Sequence, residues 1–418
     1  MFRTFIYLFV LLCLFCSSGE VLGQNITPVW TGYNEDSSPL PNNTIRCLLV
    51  DNSDDVWIGT DNGLAHLSND NWVVYNTSNS GLTDNYIRAL CADDSNNIWI
   101  GTTLGGMLKF DGASWQSFTT VNSDIPDNFI KTISIDLFGN KWVGTAEGLS
   151  YFNDTTWTTW STLNSSLLTN NITSIGVGLQ NEKYIGTING GLLYFDSTTT
   201  LLANYTIENS GVPDNSALKV KIDSLGKPWY AGSAGGLFTD PGNQTWLSFN
   251  YNNSPMPTNS LTTFELDSEN TFYMGTQQDG LVIRRYDQDW DFYTTNNSLL
   301  PENHILSLVK DMKGNLWIGT YSKGLVKLKE ETLGASLNQN NPSLFVRPNP
   351  IQKSGEVYFS RPLKNPKITI ISSDARVVYQ ELINQTTDRF KCPLIESGSY
   401  LLAVEHEGQT TIIRATIM

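Results

Sequence analysis

The sequence predicts an all-β chain: a seven-bladed β-propeller closed by its N-terminal strand, followed by a small Ig-like β-sandwich. Three observations predict it. One phrase, aromatic–apolar–Gly–Thr or Ser, recurs seven times, with glycine-to-glycine spacings of 42, 43, 42, 46, 43 and 44 residues. Each interval reads as four short strands separated by Asp, Asn and Gly turns, with no helical period of 3.6. A leftover strand-like segment at residues 29–33 matches the fourth strand that the last interval lacks. Units of this length cannot bury their apolar faces alone, and packing them in a closed ring does so.

Composition narrows the function. The chain has 418 residues, enough for two or three domains. Charged residues are only 16%, below the roughly 25% of an ordinary soluble domain. Lys plus Arg is 26 against 41 for Asp plus Glu, a net charge of −15. Nucleic-acid binders neutralise phosphates with basic groups, so no nucleic acid is expected as a partner. Docking on anionic lipid is disfavoured for the same reason. Three histidines leave little material for imidazole catalysis or a His-rich metal site.

The N-terminus reads as a secretory signal peptide over residues 1–23. Arg3 is followed by eleven apolar residues, 5–15, and Val21-Leu22-Gly23 offers a cleavage site. The run is shorter than the roughly 20 residues that span a bilayer. A buried N-terminal strand or helix is the alternative. Leu14-Phe15 before Cys16 does not suit a lipoprotein. Cleavage after Gly23 removes Cys13 and Cys16 and leaves Cys47, Cys91 and Cys392, too few for a disulfide scaffold. No later run is long and apolar enough to predict a transmembrane segment in the mature chain.

The propeller is expected over residues 24–330. The phrase runs Trp57-Ile58-Gly59-Thr60, Trp99-Ile100-Gly101-Thr102, Trp142-Val143-Gly144-Thr145 and Tyr184-Ile185-Gly186-Thr187. It continues with Tyr230-Ala231-Gly232-Ser233, Tyr273-Met274-Gly275-Thr276 and Trp317-Ile318-Gly319-Thr320. An Asn stands two residues before each unit's first apolar residue: Asn43, Asn85, Asn128, Asn170, Asn215, Asn259 and Asn303. Six units carry an Asp six residues after that apolar residue: Asp51, Asp93, Asp136, Asp223, Asp267 and Asp311; unit four has Gly178. Asn and Asp at such places are turn formers. Calcium is the other reading of the Asp column, but one carboxylate per turn is not a ligand cluster, so no metal and no cofactor is expected. Fourth strands place a Trp 15 residues before the next unit's first apolar residue, as Trp72 does for Ile45's successor Ile87, and Trp30 stands at that distance from Ile45. The N-terminal strand is therefore expected beside the strand ending at Lys329. In unit four, Leu202 takes the place of the Trp.

The N-x-I…D…G-N-x-W-I-G-T…G-G-L pattern resembles the two-component regulator propeller repeat. That repeat builds the extracytoplasmic ligand-binding part of many bacterial hybrid sensor kinases. The resemblance covers residues 25 to about 330. It implies a sensor-type ligand-binding propeller, without the membrane span and cytoplasmic output regions of those sensors.

Residues 331–343 read as a linker, Leu333-Gly334-Ala335-Ser336 running into an Asn-rich stretch. Residues 344–418 hold about seven short strands, fit for a β-sandwich. Pro348-Asn349-Pro350 at the start, Gly398-Ser399-Tyr400 and Arg414 near the end resemble the sorting domain of the type IX secretion system. Asp374-Ala375-Arg376 departs from that family, which has Gly in the middle. The resemblance implies the type IX machinery as partner, through residues 344–418. It also implies an extracellular or outer-surface location, after export across both membranes of a Bacteroidota-type cell. An ordinary appended adhesive sandwich is the alternative.

Loops that precede the first strand, and loops joining strands two and three, should meet around the channel. The first set holds Tyr86, Phe129, Asn171 and His304. The second holds Asp61, Asn62, Glu147, Asn189, Gln277, Asp279, Tyr321 and Lys323. Varied side chains on regular repeats mark a ligand site. Aromatic faces with Asn, Asp and Gln suit a sugar. No catalytic constellation stands out: His66 and His406 lie in predicted strands, and nothing fixes the separation of Glu147 and Asp279. The leading expectation is an exported, non-catalytic propeller binding an extracellular glycan or peptide. A secreted polysaccharide lyase or glycoside hydrolase and a structural or adhesive surface protein are the alternatives.

Overall fold

In the computed structural model, the alternating runs are strands, and the Asp, Asn and Gly clusters between them are turns. The structure describes residues 25–240, 245–285, 290–333, 346–347, 356–372, 377–393, 395, 398–406 and 409–417. The chain divides into two units, Met1–Leu333 and Gly334–Met418.

Among the described residues, the first unit holds seven four-stranded sheets. Sheet one is built from Ile45–Val50, Val56–Thr60, Gly63–Ser68 and Asn71–Tyr75, paired antiparallel in chain order. Sheets two to six repeat this meander from Ile87, Ile130, Ile172, Ala217 and Leu261. Sheet seven draws on both ends of the unit. Ile305–Lys310, Leu316–Thr320 and Leu325–Leu333 pair in order, and Asn25–Tyr33 adds the fourth strand. That ladder runs from Asn25 opposite Leu333 to Tyr33 opposite Leu325, with Trp30 opposite Leu328. First strands of successive sheets lie side by side, and Ile305–Lys310 lies beside Ile45–Val50. The repeated sheets thus fit a β-propeller, and the N-terminal strand covers an edge that would otherwise be open.

Each stretch of core lies between two neighbouring sheets. Trp57 and Leu64 of sheet one pack with Ile87, Ile100 and Phe110 of sheet two. The recurring glycine of the second strand follows from this packing. A Cβ on Gly144 would stand 2.6 Å from Cγ2 of Ile172, the first residue of the next sheet. The Asp column does more than shape turns. Asp51 accepts the Trp57 indole N–H at 2.9 Å. The bond recurs from Trp99 to Asp93 at 3.1 Å, Trp142 to Asp136 at 3.2 Å and Trp317 to Asp311 at 2.9 Å. In sheet six the Tyr273 hydroxyl donates to Asp267 at 3.1 Å. Where unit four has Gly178, the Glu182 carboxylate fills the space, 2.0 Å from where a Cβ would stand.

The Asn column clamps neighbours together. Asn85 Oδ1 accepts the Thr77 N–H at 2.9 Å, and its carbonyl accepts the Gly63 N–H of the preceding sheet. Asn43 does the same for Gly324, linking sheet seven to sheet one. Gly106 shows why these turn glycines recur: its φ is +80°, and a Cβ would lie 2.3 Å from the Phe118 carbonyl oxygen.

Three details differ from the sequence expectation. In sheet five the ladder sets Lys221 opposite Trp229, as Leu49 stands opposite Trp57. Trp229, Ala231 and Gly232 therefore hold the aromatic, glycine and threonine positions, one residue from the spacing-based alignment on Tyr230. Trp229 donates to Asp223 at 3.0 Å. Ala231 is tolerated because the next sheet begins with Leu261, which lacks the Cγ2 methyl of Ile. In sheet four a bulge places Leu201 opposite Phe195, and Leu201 packs inward while Leu202 is exposed. One helical turn, Ile207–Ser210, interrupts the otherwise all-β unit.

In the second unit, Val346–Arg347, Glu356–Lys364 and Thr386–Lys391 make a three-stranded sheet. Val377–Leu382, Lys367–Ser372, Gly398–His406 and Gln409–Ile417 make a four-stranded one, in that order. Val357, Phe359 and Phe390 of the first share one core with Ile368, Ile370, Leu402 and Val404 of the second. Residues 1–23, Pro348-Asn349-Pro350, Asp374-Ala375-Arg376 and the side chain of Arg414 lie outside the described residues.

Candidate ligand site at the channel mouth

The two loop sets meet at one end of the ring because the first residue of each inner strand pairs near the end of the second strand. Ile45 is opposite Thr60, and Ile87 opposite Thr102. All seven inner strands carry a register shift just after that first residue. The ladder skips Arg46, Arg88, Lys131, Thr173, Leu218, Thr262 and Leu306 in turn. A bulge re-aims the unpaired side chain. Here six of the seven, joined by Phe129, line a cavity of about 260 Å³.

Three of these side chains are cations on consecutive sheets. Arg46 is paired with Asp61 in a two-pronged contact, Nε to Oδ1 at 2.7 Å and Nη2 to Oδ2 at 2.6 Å. Its guanidinium lies 5.7 Å from the Tyr321 ring centre. Arg88 donates from Nε to Thr103 Oγ1 at 3.0 Å. Arg88 and Lys131 approach the Phe129 ring, each 5.6 Å from its centre. Lys131 also bonds Asn171 Oδ1. Burial, and then the charge of Arg46, lower the proton affinity of Arg88. Burial and the charge of Arg88 do the same to Lys131. Among the described residues, neither has a carboxylate within ion-pair distance.

The predicted residues divide by this geometry. Asp61, Phe129, Asn171 and Tyr321 touch the cation cluster. His304 joins them indirectly, its ring stacked on Tyr321 at 4.9 Å. Burial, offset by Glu302, and the charge of Arg46 lower its basicity. Tyr86 is 48% exposed at the same end. Asn62, Glu147, Asp279 and Lys323 use their backbone N–H groups to bond the preceding Thr hydroxyl of their turns. Asn189 has a φ of +60° and is tied to Ser216. Gln277 is exposed. Glu147 and Asp279 belong to sheets three and six, which are not neighbours.

Arg46, Arg88 and Lys131 were absent from the predicted set. Their signal is the basic residue that follows the first apolar residue in three consecutive units. Strict alternation turns that position onto a sheet face, and only the bulge sends it to the mouth.

At the opposite end, Asp51, Asp55 and His66 hold one ligand-type atom each within 4.8 Å of one another. Their bonds are internal. Asp51 receives Trp57, and His66 lies 3.1 Å from Asp55 while stacked on Trp57 at 4.0 Å. The three described cysteines are free thiols, and burial pushes Cys47 up to about 12 and Cys91 to about 11.

Residues 39–62, 81–103 and 299–322 match the two component regulator propeller family. Each segment ends at the turn after the second strand, so it covers the inner strand and the mouth. No curated protein matches the chain. Among solved structures, the chain is similar to the extracellular domain of the proposed hybrid two component system BT3049 from B. thetaiotaomicron. The identity is 19% and the TM-score 0.63, over 94% of this chain and 58% of that one. It is similar to PorZ, a bacterial surface component of the type-IX secretion system of Porphyromonas gingivalis. There the identity is 18% and the TM-score 0.58, over 90% of this chain and 59% of that one. A streptogramin B lyase shares 13% identity with a TM-score of 0.60, over 73% of this chain and 98% of the lyase. The chain spans less than two thirds of the first two proteins. At these identities the likeness is one of fold.

Proposed function

We propose that this chain is an exported, non-catalytic, seven-bladed propeller that binds an extracellular glycan or peptide at the channel mouth. The observation that carries the reading is the cavity at the mouth, where six of the seven bulged strands present side chains that differ from sheet to sheet. A purely structural repeat has no need of that variation. The fold likeness to the extracellular domain of a sensor and to a bacterial surface component supports a place outside the cell. Among the described residues, no helix is long and apolar enough to cross a membrane. In this reading, residues 1–23 are the signal peptide, 24–333 the propeller, whose last strand runs three residues past the 330 expected from sequence, and 334–343 a linker. Residues 344–418 are an Ig-like sorting unit addressed to the type IX machinery.

The test is a glycan and peptide array read with the purified full chain, followed by titration of hits against Phe129→Ala and Tyr321→Ala. At least tenfold weaker binding by either variant is expected. An array with no hit overturns the proposal.

A further inference from the structure

Resting on that reading of the mouth as a binding site, we infer that its occupant is an acidic sugar unit, held through its anionic group by Arg88 and Lys131. The chain carries 41 acidic residues against 26 basic ones. Ionic partners for a cation are therefore plentiful, and Arg46 takes one in Asp61. Among the described residues Arg88 and Lys131 take none, although both are partly buried and lie against one aromatic ring. Asp61 and Asp84 act on Arg88, and Asp127 on Lys131, only from beyond ion-pair reach. Two neighbouring cations in a partly desolvated cavity repel each other, and an anion between them removes that repulsion. The same groups explain why the anion is a guanidinium and ammonium ligand: carboxylate and sulfate both accept the fork of Arg and the point charge of Lys.

The size and lining of the mouth suit a sugar. The cavity of about 260 Å³ lies just below the roughly 300 Å³ at which drug-sized pockets begin. That volume suits one or two pyranose rings. Phe129 at its wall offers an aromatic surface, and Thr173, whose hydroxyl donates to the Ala217 carbonyl, offers an oxygen that can still accept; Tyr321 and Asn171 touch two of the cations, Arg46 and Lys131. Leu218 and Leu306 complete the lining with apolar side chains.

The experiment is isothermal titration of the full chain with three probes: oligogalacturonate, the same oligomer fully methyl-esterified, and poly-glutamate. The acidic oligomer should bind at least tenfold more tightly than its ester and than poly-glutamate, and sulfated oligosaccharide as a fourth probe separates sulfate from carboxylate. Arg88→Gln and Lys131→Gln should each weaken it tenfold or more, while Lys131→Arg retains most of the affinity. Tyr251→Ala, on a separate groove, should change nothing. Binding should weaken as salt rises, with a shallower slope in Lys131→Gln. If Arg88→Gln does not fold, Lys131→Gln and the salt slope decide the matter. Equal binding of the ester overturns the anionic assignment but leaves the mouth a glycan site. Preference for poly-glutamate overturns the sugar assignment. Failure of all probes, with an array hit of another kind abolished by Phe129→Ala, overturns this inference alone.

Discussion

Asp93 shows how much one side chain can hold in this fold. Its carboxylate accepts the Trp99 indole at 3.1 Å, the Ser95 N–H at 3.0 Å and the Asn97 N–H at 2.9 Å. Burial pushes its proton affinity up, but these bonds outweigh burial and hold it below the usual carboxylate value. Asp136 is held down by the same kinds of bond, and Asp267 chiefly by its ion pair with Lys310. A depressed carboxylate stabilises the fold above its unfolded value and loses that contribution as pH falls through the folded value. The melting temperature should therefore drop below about pH 4, and Asp93→Asn should flatten that drop. Trp99→Ala should cost about 3–5 kcal/mol by emptying an aromatic site. Trp99→Phe keeps most of the ring and removes one hydrogen bond, so about 1 kcal/mol is expected. Thermal melts across pH read the first of these, and urea midpoints at constant slope read the two Trp99 variants. A Trp99→Phe loss equal to that of Trp99→Ala would show that the indole N–H, not the ring, dominates.

At the scale of the strand, the decisive device is the close approach of each second strand to the inner strand of the next sheet. Ile172 lies so near Gly144 that any Cβ there must displace it. Gly144→Ala should cost about 1–3 kcal/mol by overpacking. Ala231→Gly should cost about 1 kcal/mol by a different route, a lost buried methyl and a more flexible backbone, because Leu261 leaves room that the Ala231 methyl fills. A stabilised Ala231→Gly variant in chemical denaturation would refute this account of the shifted register in sheet five. The bulges follow the same logic: the inner strand breaks its ladder after one residue, and the freed side chain turns to the mouth.

Across the whole molecule, stability depends on closure. Trp30 packs against Tyr293 of sheet six with ring centres 5.3 Å apart, and Asn43 receives the Gly324 N–H. Deleting residues 25–33 uncovers the outer edge of Leu325–Leu333 and empties the Trp30 site. The truncated chain should unfold at lower urea, with a less cooperative transition, and self-associate through the open edge. Size-exclusion chromatography and urea titration read both effects. A monomeric truncation with an unchanged midpoint would falsify the closure argument.

Repeats were legible because each unit must present the same apolar face to its neighbour, so Trp57, Gly59 and Asn43 reappear at nearly constant spacing. That spacing alone determined the strand order, the turn positions and the place of the orphan strand around Trp30. It failed where a unit gains a residue, and Trp229 was passed over for Tyr230. It also failed at the mouth, because hydrophobic alternation assigns position two of each strand to a sheet face. Only the tertiary structure decided that Arg46, Arg88 and Lys131 converge, since a bulge is a property of paired strands and leaves no mark in one strand's sequence. Whether Asp51 merely shapes its turn or holds Trp57 was likewise settled by distance in space, which six residues of separation do not specify.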